Sequence, residues 1–208
     1  MLNQLALALP VVFFVVDPIG VVPLFLAMTA HDSKEKARVM ALKASITGGL
    51  LLIVFALFGA FIFKLFGVTL PAFRVAGGLL LMLTALDMVR ARPSATKTSD
   101  AETKEGAEKD DIAIVPLAIP LLAGPGSIAT VMVLMSNGNG SPANGAAVIA
   151  SVVITFVATW LLLRAAHHVK RALGQSGIAI MQRVFGLFLA AIAVQFVVDG
   201  GRELLMKA

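Results

Sequence analysis

The chain has 208 residues, of which 59% are hydrophobic and 14% charged, whereas an average soluble domain has about 25% charged residues. It contains no Cys, no Tyr and a single Trp, and its mean hydropathy is +0.94. This composition excludes a water-soluble domain as the default, and the lack of Cys excludes disulfides, thiol redox chemistry and Cys-based zinc sites. A lipid bilayer is the solvent that suits such a chain.

Uncharged runs of residues predict the membrane spans, because a helix needs about 20 apolar residues to cross the hydrocarbon core. The longest such run, 112–163, is divided by a polar, Gly-rich turn at 136–145 and therefore holds two spans. The runs are continuously apolar, which favours helices over the alternating strands of a β-barrel. The sequence therefore predicts an all-α membrane protein with six transmembrane helices, at about 4–29, 44–66, 68–90, 112–136, 145–167 and 178–201.

The distribution of basic residues predicts the orientation of these helices. Twelve of the 17 Lys and Arg residues lie in the loops after the first, third and fifth spans, and three lie on the other side. The positive-inside rule places the three basic loops in the cytoplasm and both termini outside. The net charge of +5 is then a topology signal, and we expect no nucleic-acid partner. The most polar loop, 91–111, is predicted to be a solvated linker between two halves, 1–90 and 112–208.

The two halves share the same order of motifs. Pro18 and Pro125 lie 107 positions apart, each in a Gly/Pro-containing cluster, and Arg-x-x-Gly motifs begin at Arg74 and Arg183, 109 positions apart. Each half has three spans, so the second half must enter the membrane from the opposite side. The pattern therefore predicts two inverted-topology three-helix repeats, an architecture of transporters that bind substrate at the repeat interface near the midplane.

The Gly/Pro clusters are expected to break the first and fourth transmembrane helices, because proline lacks an N–H and clashes with the preceding turn. Backbone groups freed at a break must face protein or a water-filled cavity. Helix N-termini near Gly20 and Ser127 would offer N–H groups to a substrate carboxylate, and unwound carbonyls could hold an ammonium or a cation. The alternative for each break is a proline kink with only a packing role. The candidate substrate-binding residues are Asp17, Pro18, Ile19, Gly20, Gly124, Pro125, Gly126, Ser127 and Thr130.

Among the side chains in the spans, Asp17 is the strongest candidate for a functional group. It is the only charge in the first span, and intramembrane charges are costly. It could bind an ammonium, sodium or a proton, or it could simply cap the following half-helix. The hydroxyls of Ser127 and Thr130 could bind a ligand or satisfy carbonyls of their own helix. Arg74 and Arg183 are expected either to reach the membrane interface or to form a gate or charge pair.

Two motifs of this chain resemble the MarC family of bacterial and archaeal membrane proteins. They are Asp17-Pro-Ile-Gly20 followed by Pro23, and Pro120-Leu-Leu-Ala-Gly-Pro-Gly-Ser-Ile128, and the resemblance covers nearly the whole chain. The family often has Asn at the position of Asp17. Its members with an assigned substrate transport small neutral amino acids, so the resemblance implies a substrate with one carboxylate and one ammonium, in a bacterial or archaeal plasma (inner) membrane.

These observations lead to one principal functional hypothesis, a secondary transporter of small neutral amino acids in either the import or the export direction. Sodium or a proton is the candidate coupling ion, and no other cofactor and no metal site are expected. The sequence carries no fingerprint of a catalytic or nucleotide-binding site, so an enzyme is not expected. The alternatives are a small-solute channel and a structural or regulatory membrane protein without transport activity. Substrate identity, oligomeric state and any part in antibiotic resistance stay open at this point.

Overall fold

The computed structural model describes residues 1–90, 113–137 and 141–207, apart from the side chains of residues 60, 116 and 207. Every regular element in these ranges is a helix. The elements are α1 (Leu2–Val16), α2 (Pro18–Met28), α3 (Lys34–Phe66), α4 (Leu70–Val89), the irregular π-type α5 (Ala113–Leu122), α6 (Pro125–Ser136), α7 (Pro142–Arg164) and α8 (Ala166–Lys207).

Five stretches of the described chain are long and apolar enough to cross a membrane, when α1 and α2 are taken together. A sixth results if α5 and α6, which meet at an angle of 56°, form one bent span. The structure is therefore that of an all-helical membrane protein with five or six candidate spans. The predicted linker 91–111 lies outside the described residues.

Two predicted loops are wrong in part, because the helices extend into them. α3 begins at Lys34 and not near 44, since the Ser33 hydroxyl accepts the Lys36 N–H at 3.2 Å and the following residues are good helix formers. α8 begins at Ala166 and not near 178, with an interruption at Gly174, whose φ of 64° suits glycine. The helices α3 and α8 therefore include charged residues that lie outside the apolar spans.

The helices with the most extensive mutual contact, α4 and α8, run antiparallel and lie very close together. A Cβ on Gly78 would lie 2.8 Å from the carbonyl oxygen of Ala193, and one on Gly200 would lie 2.7 Å from that of Pro71. Small residues at such positions allow the backbones of membrane helices to touch. The other main pairs are α1–α7, α3–α7, α3–α5, α3–α6, α4–α6, α2–α8 and α1–α6.

Large apolar side chains occur both in the interior and on the periphery of the protein. Leu52, Leu81, Leu117 and Leu189 are fully buried between the helices. Large apolar side chains are also exposed on most of the long helices, for example Leu187, which is 68% exposed. Such a surface is unfavourable in water and is the expected one against lipid acyl chains. The buried polar side chains concentrate at two helix interruptions and on α7.

Candidate functional site at the two helix breaks

The first break separates α1 from α2 at Asp17. Its φ of 55° and ψ of 58° lie in the left-handed region, which Asp tolerates better than most non-glycine residues. The Asp17 N–H donates to the Phe13 carbonyl at 3.0 Å and ends α1, while its Oδ1 accepts the Gly20 N–H at 3.1 Å and caps α2. Pro18 occupies the first position of α2. Asp17 is 5% exposed, so a buried carboxylate forms this break and caps the next helix.

Gly20 has no room for a side chain, because two polar groups lie against it. A Cβ there would overlap the Asp17 carboxylate and lie 2.6 Å from Nε2 of Gln182 on α8. Glycine therefore brings an amide of α8 next to the carboxylate of the first break. Sequence reasoning missed Gln182. The one feature of the sequence that could have indicated it is that a polar residue stands beside Arg183 in an apolar segment.

The second break separates α5 from α6 at Gly124. Pro125 again occupies the first helical position, but Gly124 provides no side-chain cap. The buried Ser127 hydroxyl donates to the Leu122 carbonyl at 3.2 Å, and that of Thr130 donates to the Gly126 carbonyl at 2.8 Å. The Thr130 hydroxyl thus satisfies a carbonyl of its own helix, whereas the Ser127 hydroxyl bonds a carbonyl of α5 across the break.

The N-terminus of α6 adjoins a small cavity of about 10 Å³, which has room for about one water molecule. The cavity is lined by Val15, Leu80, Thr84, Gly124, Pro125, Gly126 and Ser127. Pro125 has no N–H, so the uncapped amides of the first turn belong to Gly126 and Ser127. Pro125, which begins α6, is exposed, whereas Pro18, which begins α2, is buried, so the first helical residue is the more accessible one at the second break.

The two breaks lie side by side. Val15, two residues before Asp17, lines the cavity of the second break, and its Cγ2 lies 3.8 Å from a Cβ placed on Gly126. Pro18 and Ile19 are buried in the first turn of α2. The structure therefore places the Gly/Pro motifs, predicted separately from sequence, next to one another.

Arg74 lies away from the breaks and joins the ends of three helices. Its Nη1 lies 3.1 Å from Oε2 of Glu203 on α8, and its Nη2 donates to the Asn137 side chain at the end of α6. Arg74 thus takes part in a charge pair, with partners that sequence reasoning did not identify. Arg183 is exposed and forms no ion pair with any residue of the described ranges.

Long apolar helices with exposed apolar side chains are typical of a multi-spanning integral membrane protein, which here buries a carboxylate and two hydroxyls at helix interruptions. Within the described ranges, no group of three or more His, Asp or Glu side chains could hold a metal ion. A model of the MarC family, described as MarC family integral membrane protein, matches residues 2–205. The chain therefore belongs to the MarC family, and the resemblance drawn from its motifs is confirmed.

Relatives of similar length occur in archaea and bacteria. The chain is 41% identical to UPF0056 membrane protein MJ1677 of Methanocaldococcus jannaschii, over 99% of each chain. It is 40% identical to a UPF0056 membrane protein of Aquifex aeolicus, over 92% of this chain and 89% of the relative. It is 31% identical to UPF0056 membrane protein YhcE of Escherichia coli, over 90% of this chain and 87% of the relative. No solved structure matches the chain.

Proposed function

We propose that this protein is a secondary transporter of small neutral amino acids that binds its substrate between the two helix breaks, near the membrane midplane. The observation that carries the proposal is the opposite chemistry of two adjacent breaks. One presents the uncapped helix N-terminus of α6, and the other contains the buried carboxylate of Asp17. An amino acid zwitterion carries the two complementary charges on one small molecule.

The substrate carboxylate is assigned to the amides of Gly126 and Ser127. Free N–H groups and the positive end of the helix dipole favour an anion at that place. The substrate ammonium is assigned to the side of Asp17, where charge-assisted hydrogen bonds to a carboxylate are strong. Val15, two residues before Asp17, lines the cavity at the second break, so the two half-sites are neighbours in the fold.

The size of the cavity supports a small substrate and a conformational change. With room for about one water molecule, the cavity does not accept even glycine in this conformation. Binding therefore requires α6 to move away from α1 and α4. The apolar walls formed by Val15 and Leu80 would disfavour a charged side chain on the substrate.

The helix contacts support the inverted repeat that the transport proposal includes. If α1–α2, α3 and α4 correspond to α5–α6, α7 and α8, a pseudo-two-fold axis pairs α4 with α8 and α3 with α7. The same axis makes α4–α6 equivalent to α2–α8, and α3–α5 equivalent to α1–α7. All of these pairs are in contact, and α4 and α8 are antiparallel as the axis requires.

The proposal also includes a location and an energy source. The plasma membrane would hold the protein with both termini outside and the basic loops in the cytoplasm, as the Lys and Arg distribution predicts. A sodium or proton gradient would drive uptake or export. The partners are then the bilayer and the amino acid, without nucleic acid and without a chemical reaction on the substrate.

The test is counterflow in proteoliposomes that contain the full-length protein. Vesicles preloaded with unlabelled glycine or alanine should accumulate the labelled amino acid with saturable kinetics, and a sodium or pH gradient should change the rate. Flux that neither saturates nor shows counterflow would identify a channel. The absence of protein-dependent flux for all twenty amino acids would overturn transport and favour a structural or regulatory role.

A further inference from the structure

We propose that α3 and α7 form a binding groove for an anionic glycerophospholipid, separate from the substrate site. The groove has a volume of about 340 Å³ and is lined by residues 42–53 of α3 and 152–160 of α7. Along α3 it is about 16 Å long, at 1.5 Å per residue. Its basic end lies where α3 begins and α7 ends.

The walls of the groove fit an acyl chain. Apart from Ser45, all the side chains that line it are aliphatic or aromatic. A close helix contact forms the floor, because a Cβ on Gly49 would lie 3.2 Å from Cγ of Phe156. Glycine at this position keeps the groove deep enough for a hydrocarbon chain.

Ser45 indicates that the occupant also has a hydrogen-bond acceptor. The residue is 4% exposed and lines the groove, and its Oγ has no hydrogen-bond partner in the described part of the chain. A hydroxyl left unbonded in apolar surroundings is costly. The ester carbonyl of a phospholipid, at the headgroup end of an acyl chain, would accept the hydrogen bond of the Ser45 hydroxyl.

Basic side chains at the same end point to a phosphate headgroup. The Arg164 guanidinium lies 5.5 Å from the ring centroid of Trp160, which lines the groove. Lys43 lies one helical turn before the groove residue Ile46, and about 3 Å along α3 from Ser45. Trp is typical of the membrane interface, where phosphate and ester groups follow one another.

A second copy of the chain explains these features less well than a lipid does. Two copies meeting groove to groove in the same orientation would bring Lys43 and Arg164 of one copy close to those of the other. They would also leave both Ser45 hydroxyls among apolar side chains. A lipid would place a phosphate near the two basic side chains and an ester carbonyl near the Ser45 hydroxyl, without bringing like charges together.

Trp160 is the only Trp of the chain, so its fluorescence reports directly on the groove. The full-length protein is reconstituted in phosphatidylcholine, and phosphatidylglycerol with brominated acyl chains is added in increasing fractions. Bromine quenches Trp only in close contact, so half-maximal quenching is expected at a lower fraction than with brominated phosphatidylcholine. Equal quenching by the two lipids would overturn the proposal.

Variants separate the contributions of the headgroup and the ester. Arg164→Gln should raise the fraction of anionic lipid for half-maximal quenching about fivefold. Ser45→Ala should raise the fraction about two- to tenfold for both brominated lipids, because the hydrogen bond to the ester is lost. If neither variant changes the quenching curves, the lipid does not use these residues and the assignment is wrong.

Two controls address position and occupant. Trp160→Phe combined with Leu187→Trp moves the fluorophore to an exposed site on α8, where both lipids should quench equally. Ile46→Cys places one cysteine on the exposed wall of the groove in a chain that otherwise has none. Efficient disulfide-linked dimer formation by this variant in bilayers would show that a second copy occupies the groove, and would overturn the lipid proposal.

Discussion

The two helix breaks use the same backbone device but differ in one residue. In each, a proline begins the second half-helix, and the residue before it is the N-cap. That residue is Asp17 in the first break and Gly124 in the second. Asp17 brings its own anion to the helix N-terminus, whereas Gly124 leaves the next amides uncapped. The comparison teaches that a single N-cap residue decides whether the first amides of a half-helix are capped by the chain itself or left without a side-chain cap.

The largest expected effect comes from making the second break resemble the first. Gly124→Asp places a carboxylate at the N-terminus of α6, where we propose that the substrate carboxylate binds. Gly124 has a φ of −77° and a ψ of 174°, which any residue can adopt. Repulsion between like charges should raise the half-saturating glycine concentration in counterflow about a hundredfold. Gly124→Ala is the matched control, and if both variants lose transport equally, steric hindrance and not charge is the cause.

The next largest effect is expected from alanine substitutions that test how tightly the glycines at the two breaks are packed. A Cβ on Gly20 would overlap the Asp17 carboxylate, whereas one on Gly126 would lie 3.3 Å from Leu81 Cδ2. Gly20→Ala should therefore lower the free energy of unfolding by about 1–3 kcal/mol, and Gly126→Ala should change it less. Thermal unfolding in detergent, followed by size-exclusion chromatography of the heated protein, measures both. A larger loss for Gly126→Ala would show that the second break is the more tightly packed one.

Replacing the carboxylate of the first break separates its charge from its capping role. Asn caps a helix nearly as well as Asp, so Asp17→Asn should leave the Tm almost unchanged. Hydrogen bonds to a charged group are stronger than neutral ones, so the half-saturating glycine concentration should rise about tenfold. Asp17→Ala should lower stability as well. Counterflow by Asp17→Asn that matches the unmodified protein at every pH would eliminate Asp17 as the ammonium ligand and as a proton carrier.

The smallest expected effect concerns the two arginines of the Arg-x-x-Gly motifs, Arg74 and Arg183. Arg74 contacts Glu203 and Asn137, while Arg183 is exposed. Arg74→Gln should lower the free energy of unfolding by about 1 kcal/mol, because a partly exposed pair contributes little. Arg183→Gln should have no measurable effect on thermal unfolding. Equal effects of the two substitutions would mean that the charge pair does not stabilise the arrangement of α4, α6 and α8.

Sequence reasoning succeeded where composition and local chemistry decide the structure. Uncharged runs located α4 and α7 to within a few residues and the apolar parts of the other spans, and Pro18 and Pro125 located the interruptions. It failed where charged residues form helix outside the apolar spans, as at Lys34. Hydropathy predicts whether a segment lies in lipid or in water, but it does not predict the backbone conformation of a segment in water. It also missed Gln182 and Glu203, since their roles depend on contacts between residues far apart in sequence.

The glycine contacts between α4 and α8 also limit which parts of the molecule can move. Backbone meets backbone at Gly78 and Gly200. Sliding α4 by one turn along α8 would bring a larger side chain to each of these places and would meet a steric barrier. The pair should therefore behave as a fixed frame. If the protein transports as proposed, the movements that open one membrane face and close the other take place in the remaining helices, while the register of α4 on α8 stays the same in both end states.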